Sequence, residues 1–471
     1  MVTKAIFGPP GTGKTTELLR RVQEAKDLGV SPDSIAFLSF TRAAASEALS
    51  RLGIRRSDNV CTIHSMCFRL MGLRQPQVVD SAKLREFAAK VGVPIIGKSP
   101  EDDEERADGD AYLDIINRSR NTYTDPDEAY DLSDRPGTRA EFNMFRHAYA
   151  DWKSVFGYWD FTDMLDAVAK GGVSSSAEIF FIDEAQDLSP LQWRVIERIT
   201  ENAKAVTVAG DDDQAIYTWS GADPHGMSEF IERHDGDSEV LSLSHRLPVA
   251  VHKKSQALIR RVSRRVDKVF TCTGDVGLVR VFGGIDSVTI RRGQDTLLLG
   301  RTHSVLRDVE KSLIEGRIPY LRESGRPGMY QNRWATAIRT FNALARGEKI
   351  TESGKNTLLH ACNATSKRLV TDGKWSELTS RPFHVRLDIP ISMLDFYIDT
   401  DLDAKPDVRL STIHASKGHE ADRVILMTDM TSRVAETAMK FPDDEIRTFY
   451  VGMTRARKVL DIVDGPNGFK I

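Results

Sequence analysis

The chain has 471 residues, 40% of them hydrophobic, which is enough for about three or four domains with real cores and marks an ordinary soluble multidomain protein. Its formal charge of −3 gives no global pull toward nucleic acid, so any nucleic-acid path must be a local groove. Four scattered cysteines, Cys61, Cys67, Cys272 and Cys362, exclude a disulfide framework, and neither an apolar run of membrane length nor an N-terminal leader is present. A cytoplasmic protein without membrane contact is the expectation.

The first element is a strand. "TKAIFG" is a short apolar run, and "TTELLRRVQEA" carries helical spacing, so the segment between them is a strand-to-helix turn. That turn fits G-x-x-x-x-G-K-[ST] with Gly8, Gly11, Thr12, Gly13, Lys14, Thr15 and Thr16. Glycines let backbone N–H groups approach phosphates, Lys14 reaches the β and γ oxygens, and the Thr15 hydroxyl can ligate Mg²⁺. A bound nucleoside triphosphate follows, but not the reaction, since kinases, GTPases and motors share the loop.

Further on, "CTIHSMC" spells C-x-x-H-x-x-C with Cys61, His64 and Cys67. A zinc site needs a fourth ligand, and the other two cysteines stand alone, so buried thiols are the better account. From Leu70 to about Ala150 no chemical motif occurs, and the acidic run "SPEDDEERADGD" reads as a solvated loop within a helical insertion.

A second apolar strand, Ile179 to Ile182, ends in Asp183 and Glu184 within "IDEAQD". Two carboxylates at the C-terminal end of a buried strand suit a metal-nucleotide pair: Asp183 would hold Mg²⁺ and Glu184 would activate the attacking water. A third strand, Ala205 to Ala209, runs into "GDDDQAIYTWSGAD". Gln214 sits where an amide could contact both water and γ-phosphate. Tyr217 and Trp219 follow, and spacing alone leaves open whether they stack on bases or fill the core.

In order along the chain, "GPPGTGKTT", "FLSFTRAAASEA", "TIHSMC", "DFTDML", "IDEAQD", "VAGDDDQAIYTWSGA", "LSLSHRLP", "LSTIHASKGHEADRVIL" and "FYVGMTRARKVL" resemble the motifs of UvrD/Rep-type superfamily 1 DNA helicases. The resemblance implies an α/β protein of two RecA-like P-loop motor domains with parallel sheets, each carrying a mainly helical insertion. It implies ATP with Mg²⁺, single-stranded and tailed duplex DNA as partners, and 3′ to 5′ travel with duplex unwinding. By the same resemblance Arg246 and Arg455 are arginine fingers from the second motor, and Glu420 lies near ribose and phosphate. Thr41, Arg42, Thr62, His64, Thr412, His414 and Ser416 contact the DNA backbone, and Tyr217 and Trp219 stack on bases.

Three positions depart from the family pattern. The loop starts at Gly8, leaving no room for the adenine-reading glutamine segment, so strictness for ATP is left open; His245 stands where an aromatic ring stacks on the base; and Ser220 follows Trp219 in place of an arginine. The expected spans are 1–70 and 151–245 for the first motor with 71–150 as its insertion, and 246–335 and 406–471 for the second with 336–405 as a short accessory insertion. That short insertion keeps an alternative open, a single-strand-dependent ATPase that remodels or loads nucleoprotein with little unwinding. RNA use is also open. A monomer or weak dimer is expected, since one chain holds a complete motor.

Overall fold

The computed structural model describes residues 1–53, 58–97, 106–325 and 327–471; residues 99–105 of the acidic run lie outside them. The chain divides into two compact units, Met1–Val276 with Thr437–Thr454, and Gly277–Glu436 with Arg455–Ile471.

The first unit is built on six parallel strands: β1 (Val2–Phe7), β2 (Ile35–Ser39), β3 (Val60–Thr62), β4 (Ile179–Ile182), β5 (Ala205–Gly210) and β6 (Asp237–Val240), in the order β3-β2-β4-β5-β1-β6. The central strands read as continuous apolar runs because helices cover both faces of a parallel sheet, and all five residues of β2 are buried. The covering helices are α1 (Lys14–Asp27), α2 (Arg42–Arg51), α3 (Ile63–Leu70) and, beyond an insertion, α8 (Phe161–Lys170), α9 (Pro190–Ile199) and α10 (Gly226–Arg233).

The insertion comprises α4 (Ser81–Val91), α5 (Asp108–Thr122), α6 (Pro126–Asp131) and α7 (Arg139–Phe156) around an aromatic core of Phe87, Tyr112, Phe142, Phe145, Tyr149 and Trp152. Its tie to α8 is ionic. In "DFTDML", Asp160 caps α8 by accepting from Asp163 N at 2.7 Å, and Arg120 of α5 donates to Asp163 at 2.8 Å and to Asp166 at 2.6 Å. Lys153 of α7, almost fully buried, donates to Asp163 at 2.6 Å and also to Asp160. Opposed charges removed from water hold three helices in one register.

Two short strands, β7 (Leu243–Ser244) and β8 (Thr271–Cys272), flank α11 (Val249–Ile259) and pair in parallel at Leu243↔Thr271. This pairing keeps residues 246–276 with the first unit, whereas the motif spans begin the second motor at 246.

In the second unit β9 (Leu278–Phe282), β10 (Thr296–Gly300), β11 (Tyr320–Arg322), β12 (Val408–Thr412), β13 (Ala421–Met427) and β14 (Ala456–Val463) form another all-parallel sheet, ordered β11-β12-β10-β13-β14-β9. Helix α12 (His303–Glu315) follows β10. Between β11 and β12 lies a helical insertion: α13 (Arg333–Ala345), α14 (Glu352–Ala361), α15 (Ala364–Thr371), α16 (Trp375–Leu378), α17 (Phe383–Arg386) and α18 (Ile391–Ile398). Trp334, Phe341, Leu358, Val370 and Phe396 join these helices to the sheet core. Inside the sheet, fully buried Asp461 accepts from Arg423 and Arg280, each at 2.7 Å, tying β14 to both neighbours. After β13 come α19 (Ser432–Lys440) and α20 (Pro442–Met453); α20 belongs to the first unit, where it packs on α11. Among the described residues no helix is long and apolar enough to cross a membrane.

Candidate active site

Register assembles the first half of the site. β1 and β5 run side by side from Val2↔Ala205 to Phe7↔Gly210, and β4 pairs with β5 through Ile182↔Val208. Gly8, Asp183 and Asp211 therefore leave the sheet at one edge, the carboxyl edge where open parallel sheets bind ligands.

The phosphate loop turns through left-handed backbone at Gly11 (φ 76°) and Gly13 (φ 84°). A side chain at Gly11 would also meet Arg246, whose Cβ is 2.4 Å from where an added Cβ would sit. Thr12 donates to Pro9 O at 2.8 Å and closes the turn. Lys14 opens α1 and donates to Gly8 O at 2.7 Å, so its ammonium already lies across the loop. Thr16 accepts from Arg51 at 2.6 Å.

Thr15 donates to Asp183 Oδ2 at 2.6 Å. Burial raises the Asp183 carboxyl to about 6, the charge of Glu184 adds to this, and Thr15 and Lys14 act against it. A buried carboxylate and a hydroxyl held together are hard oxygen donors, a set that fits Mg²⁺. Glu184 occupies left-handed backbone at φ 54°, a conformation unusual for a side-chain-bearing residue and typical of functional turns. Its Oε2 accepts from Gln186 at 2.6 Å, and Gln186 Oε1 accepts from Asp211 N at 2.9 Å. Gln214 donates to Asp211 Oδ2 at 2.7 Å. Lys14 is close enough to both Asp183 and Asp211 to favour their charged forms.

Arg246 and His245 belong to this same unit. His245 N donates to Gly11 O at 2.9 Å and Ser244 Oγ to Pro10 O at 2.6 Å, so "SHRLP" is braced on the phosphate loop. The backbone, not a second sheet, carries Arg246 there.

Thr412, His414, Ser416, Glu420 and Arg455 lie in the second unit. Thr412, His414 and Ser416 form a buried turn after β12, in which Thr412 Oγ1 accepts from Ala415 N at 3.3 Å and Ser416 donates to Ile413 O at 2.7 Å. Glu420 pairs with Arg457 at 3.6 Å, and His419 binds Glu323 at 2.9 Å. Arg455, buried immediately before β14, accepts from Ala421 N through its carbonyl at 3.1 Å.

On the carboxyl edge of the first sheet lies a second group. Tyr217 and Trp219 are half-buried; Phe40 stacks on Tyr217 at 5.6 Å, and Trp219 meets Tyr217 edge-on at 6.3 Å. Thr41 and Thr62 cap α2 and α3 by accepting from Ala44 N and Ser65 N, each at 3.2 Å, while Arg42 is exposed. Cys61 and Cys67 are buried, and burial pushes the Cys67 thiol up to about 12.

His64 stands edge-on to Phe161, and burial lowers its imidazole to about 4. It is therefore neutral at pH 7 and can meet a phosphate only as a neutral donor. The unfolded chain, near 6.5, binds the proton more tightly, so this stabilisation is complete above pH 6.5 and is lost as pH falls toward 4. Between pH 7.5 and 5 the loss is about 2 kcal/mol. Urea titrations at the two pH values should show His64→Gln losing less stability than the parent; equal losses would contradict the assignment.

Sequence reasoning missed Phe40, Gln186 and Lys268. Phe40 immediately precedes Thr41 and Gln186 lies inside "DEAQD", so both had a signal in their position; Lys268 had none.

Comparison with known proteins agrees with this architecture. Residues 3–235 match the UvrD/REP helicase N-terminal domain and residues 389–464 the UvrD-like helicase C-terminal domain. YjcD of Bacillus subtilis (strain 168) is 23% identical over 390 residues, covering 75% of this chain and 51% of its own length. The ATP-dependent DNA helicase PcrA of the same organism is 25% identical over 354 residues, covering 66% and 47%. The ATP-dependent DNA helicase UvrD2 of Mycobacterium tuberculosis (strain CDC 1551 / Oshkosh) is 22% identical over 529 residues, covering 96% and 75%. The chain thus spans about half the length of the first two relatives. With both family domains matched in order, and a parallel α/β sheet in each of two units as RecA-like motors have, the chain belongs to the UvrD-type superfamily 1 helicases.

Proposed function

We propose that this chain is an ATP-driven motor that moves along single-stranded DNA, 3′ to 5′, and unwinds duplex DNA ahead of it. The observation that carries this is the meeting of Lys14, the Thr15–Asp183 pair and Glu184 at one sheet edge, with Gln214 and the Phe40–Tyr217–Trp219 rings on the segments that leave the same edge.

The chemistry follows from the groups. Loop amides and Lys14 bind the β- and γ-phosphates at the N-terminus of α1. Glu184 takes a proton from water as its oxygen attacks the γ-phosphorus, the bond to the β–γ bridging oxygen breaks, and ADP and phosphate result. Arg246 and Arg455 supply positive charge to the transferring phosphoryl group. Thr15 and Asp183 would hold Mg²⁺, which neutralises phosphate charge when bound. Since Gln214, Tyr217 and Trp219 lie on one short segment after β5, a change at the phosphate reaches the stacking surface without a long relay.

The motor and insertion spans given above, the assignment of Thr412, His414 and Ser416 to DNA phosphates and of His245 and Glu420 to nucleotide, a cytoplasmic location and a monomeric or weakly dimeric state belong to this proposal. Strand displacement on duplexes bearing a 3′ or a 5′ single-stranded tail tests it. ATP-dependent unwinding of the 3′-tailed duplex is expected. Strong ATPase on single strands without displacement of either duplex would favour the remodelling alternative, to which the short 336–405 insertion lends support.

A further inference from the structure

Asp211, Asp212 and Asp213 follow β5 directly, and none exposes more than 2% of its surface. Three adjacent carboxylates out of water demand counter-charges, since an unpaired buried charge is strongly destabilising. The segment after α11 supplies them. Lys268, whose side chain is 0% exposed, places its ammonium 3.0 Å from Asp211 Oδ1 and 3.0 Å from Asp213 Oδ2, and in contact with Asp212 as well. Arg265 grips Asp213 with two bonds of 2.8 and 2.6 Å, and Val266 N donates to Asp212 Oδ2 at 2.8 Å. Arg447 of α20 donates to Asp212 O at 3.0 Å.

Asp211 is where this cluster meets the chemistry. One of its oxygens receives Lys268 and the other receives Gln214 Nε2 at 2.7 Å. Its backbone N–H donates to Gln186 Oε1, and Gln186 in turn donates to Glu184. Gly210 makes room for that approach: an added Cβ would lie 2.6 Å from Gln186 Oε1. A carboxylate can only accept, so Gln214 must turn its NH₂ toward Asp211 and its carbonyl oxygen away. That orientation presents an acceptor, the group needed to orient an attacking water.

We infer that Lys268, which lies outside every recognised motif, is a positioning residue for hydrolysis: it holds Asp211 so that Gln214 and, through Gln186, Glu184 keep one orientation. The inference rests on the reading of this chain as an ATP hydrolase. Its ammonium touches neither nucleotide-binding group nor DNA-binding ring, so removing it should slow the chemical step and leave ATP binding largely intact.

The test is a double-mutant cycle on steady-state ATP hydrolysis, with kcat and KM measured separately and a melting curve for each protein. Lys268→Met should lower kcat about tenfold or more while KM for ATP changes less than about threefold. Lys268→Met combined with Gln214→Ala should lose clearly less than the product of the two single losses, because the Asp211–Gln214 branch is common to both while the Gln186–Glu184 branch is not. Lys268→Arg, which keeps the charge, should recover part of the loss. Losses that multiply in the double variant, or a raised KM with unchanged kcat, would overturn the inference. If Lys268→Met fails to fold, Lys268→Met with Asp212→Asn removes one charge of each sign, and the same cycle is run against Asp212→Asn. A parent protein that hydrolyses no ATP would instead overturn the functional reading itself, and the parent arm alone reveals that.

Discussion

Glu184→Gln should reduce ATP turnover by about a thousandfold while leaving ATP affinity within about threefold. The substitution preserves shape and still offers an oxygen to Gln186, whose amide donates to Glu184 Oε2 at 2.6 Å. What disappears is the ability to take a proton from water. The neighbouring Asp183 is not placed to substitute, because its Oδ2 accepts from Thr15 at 2.6 Å, its Oδ1 accepts from Glu184 N at 2.9 Å, and the side chain is buried. The left-handed backbone at Glu184, φ 54°, fixes where the carboxylate points, so a shorter side chain such as Asp should be nearly as damaging. Turnover in Glu184→Gln within tenfold of the parent would assign proton removal to another group.

Trp219→Ala should weaken binding of single-stranded DNA by about ten- to a hundredfold, the loss of one base-stacking contact worth roughly 1–3 kcal/mol. Trp219 is half-buried at the end of a row in which Phe40 stacks on Tyr217 at 5.6 Å and Tyr217 meets Trp219 edge-on at 6.3 Å. Core aromatics of this chain, such as Phe87 and Phe142, are almost fully enclosed. Fluorescence anisotropy across a salt series separates stacking from charge. Trp219→Ala should shift the whole curve without changing its slope, whereas Arg42→Ala, at an exposed cation, should make the slope shallower. An unchanged affinity for Trp219→Ala would remove the ring from the DNA track.

What was legible in the sequence had a local physical cause. A strand, a glycine loop and a helix with Lys14 at its start require only neighbours in sequence, as does a buried apolar strand ending in Asp183 and Glu184. The two parallel sheets and their helical insertions were expected from the family resemblance that the ordered motifs carry, and both sheets are parallel. The rest depended on partners far away along the chain. Lys268 looks like an ordinary surface lysine until the fold sets it against Asp211–Asp213, 55 to 57 residues earlier. The same holds for Arg120 and Lys153, which make "DFTDML" an ionic clamp between helices. Thr41 and Thr62 were legible as polar loop ends, yet their hydroxyls also cap helices, a role that any threonine before a helix can fill. Arg246 illustrates a different limit: motif order singled it out, but its place beside the phosphate loop depends on the β7–β8 pairing and the Ser244 contact with Pro10.

The central claim is that nucleotide hydrolysis at the Lys14–Asp183–Glu184 edge is coupled to a DNA strand on the adjoining rings. Steady-state ATPase with and without single-stranded DNA, using Lys14→Ala as the control, tests it most directly. The account predicts strong stimulation by DNA that vanishes in Lys14→Ala; an ATPase of the parent protein that is indifferent to DNA would contradict it.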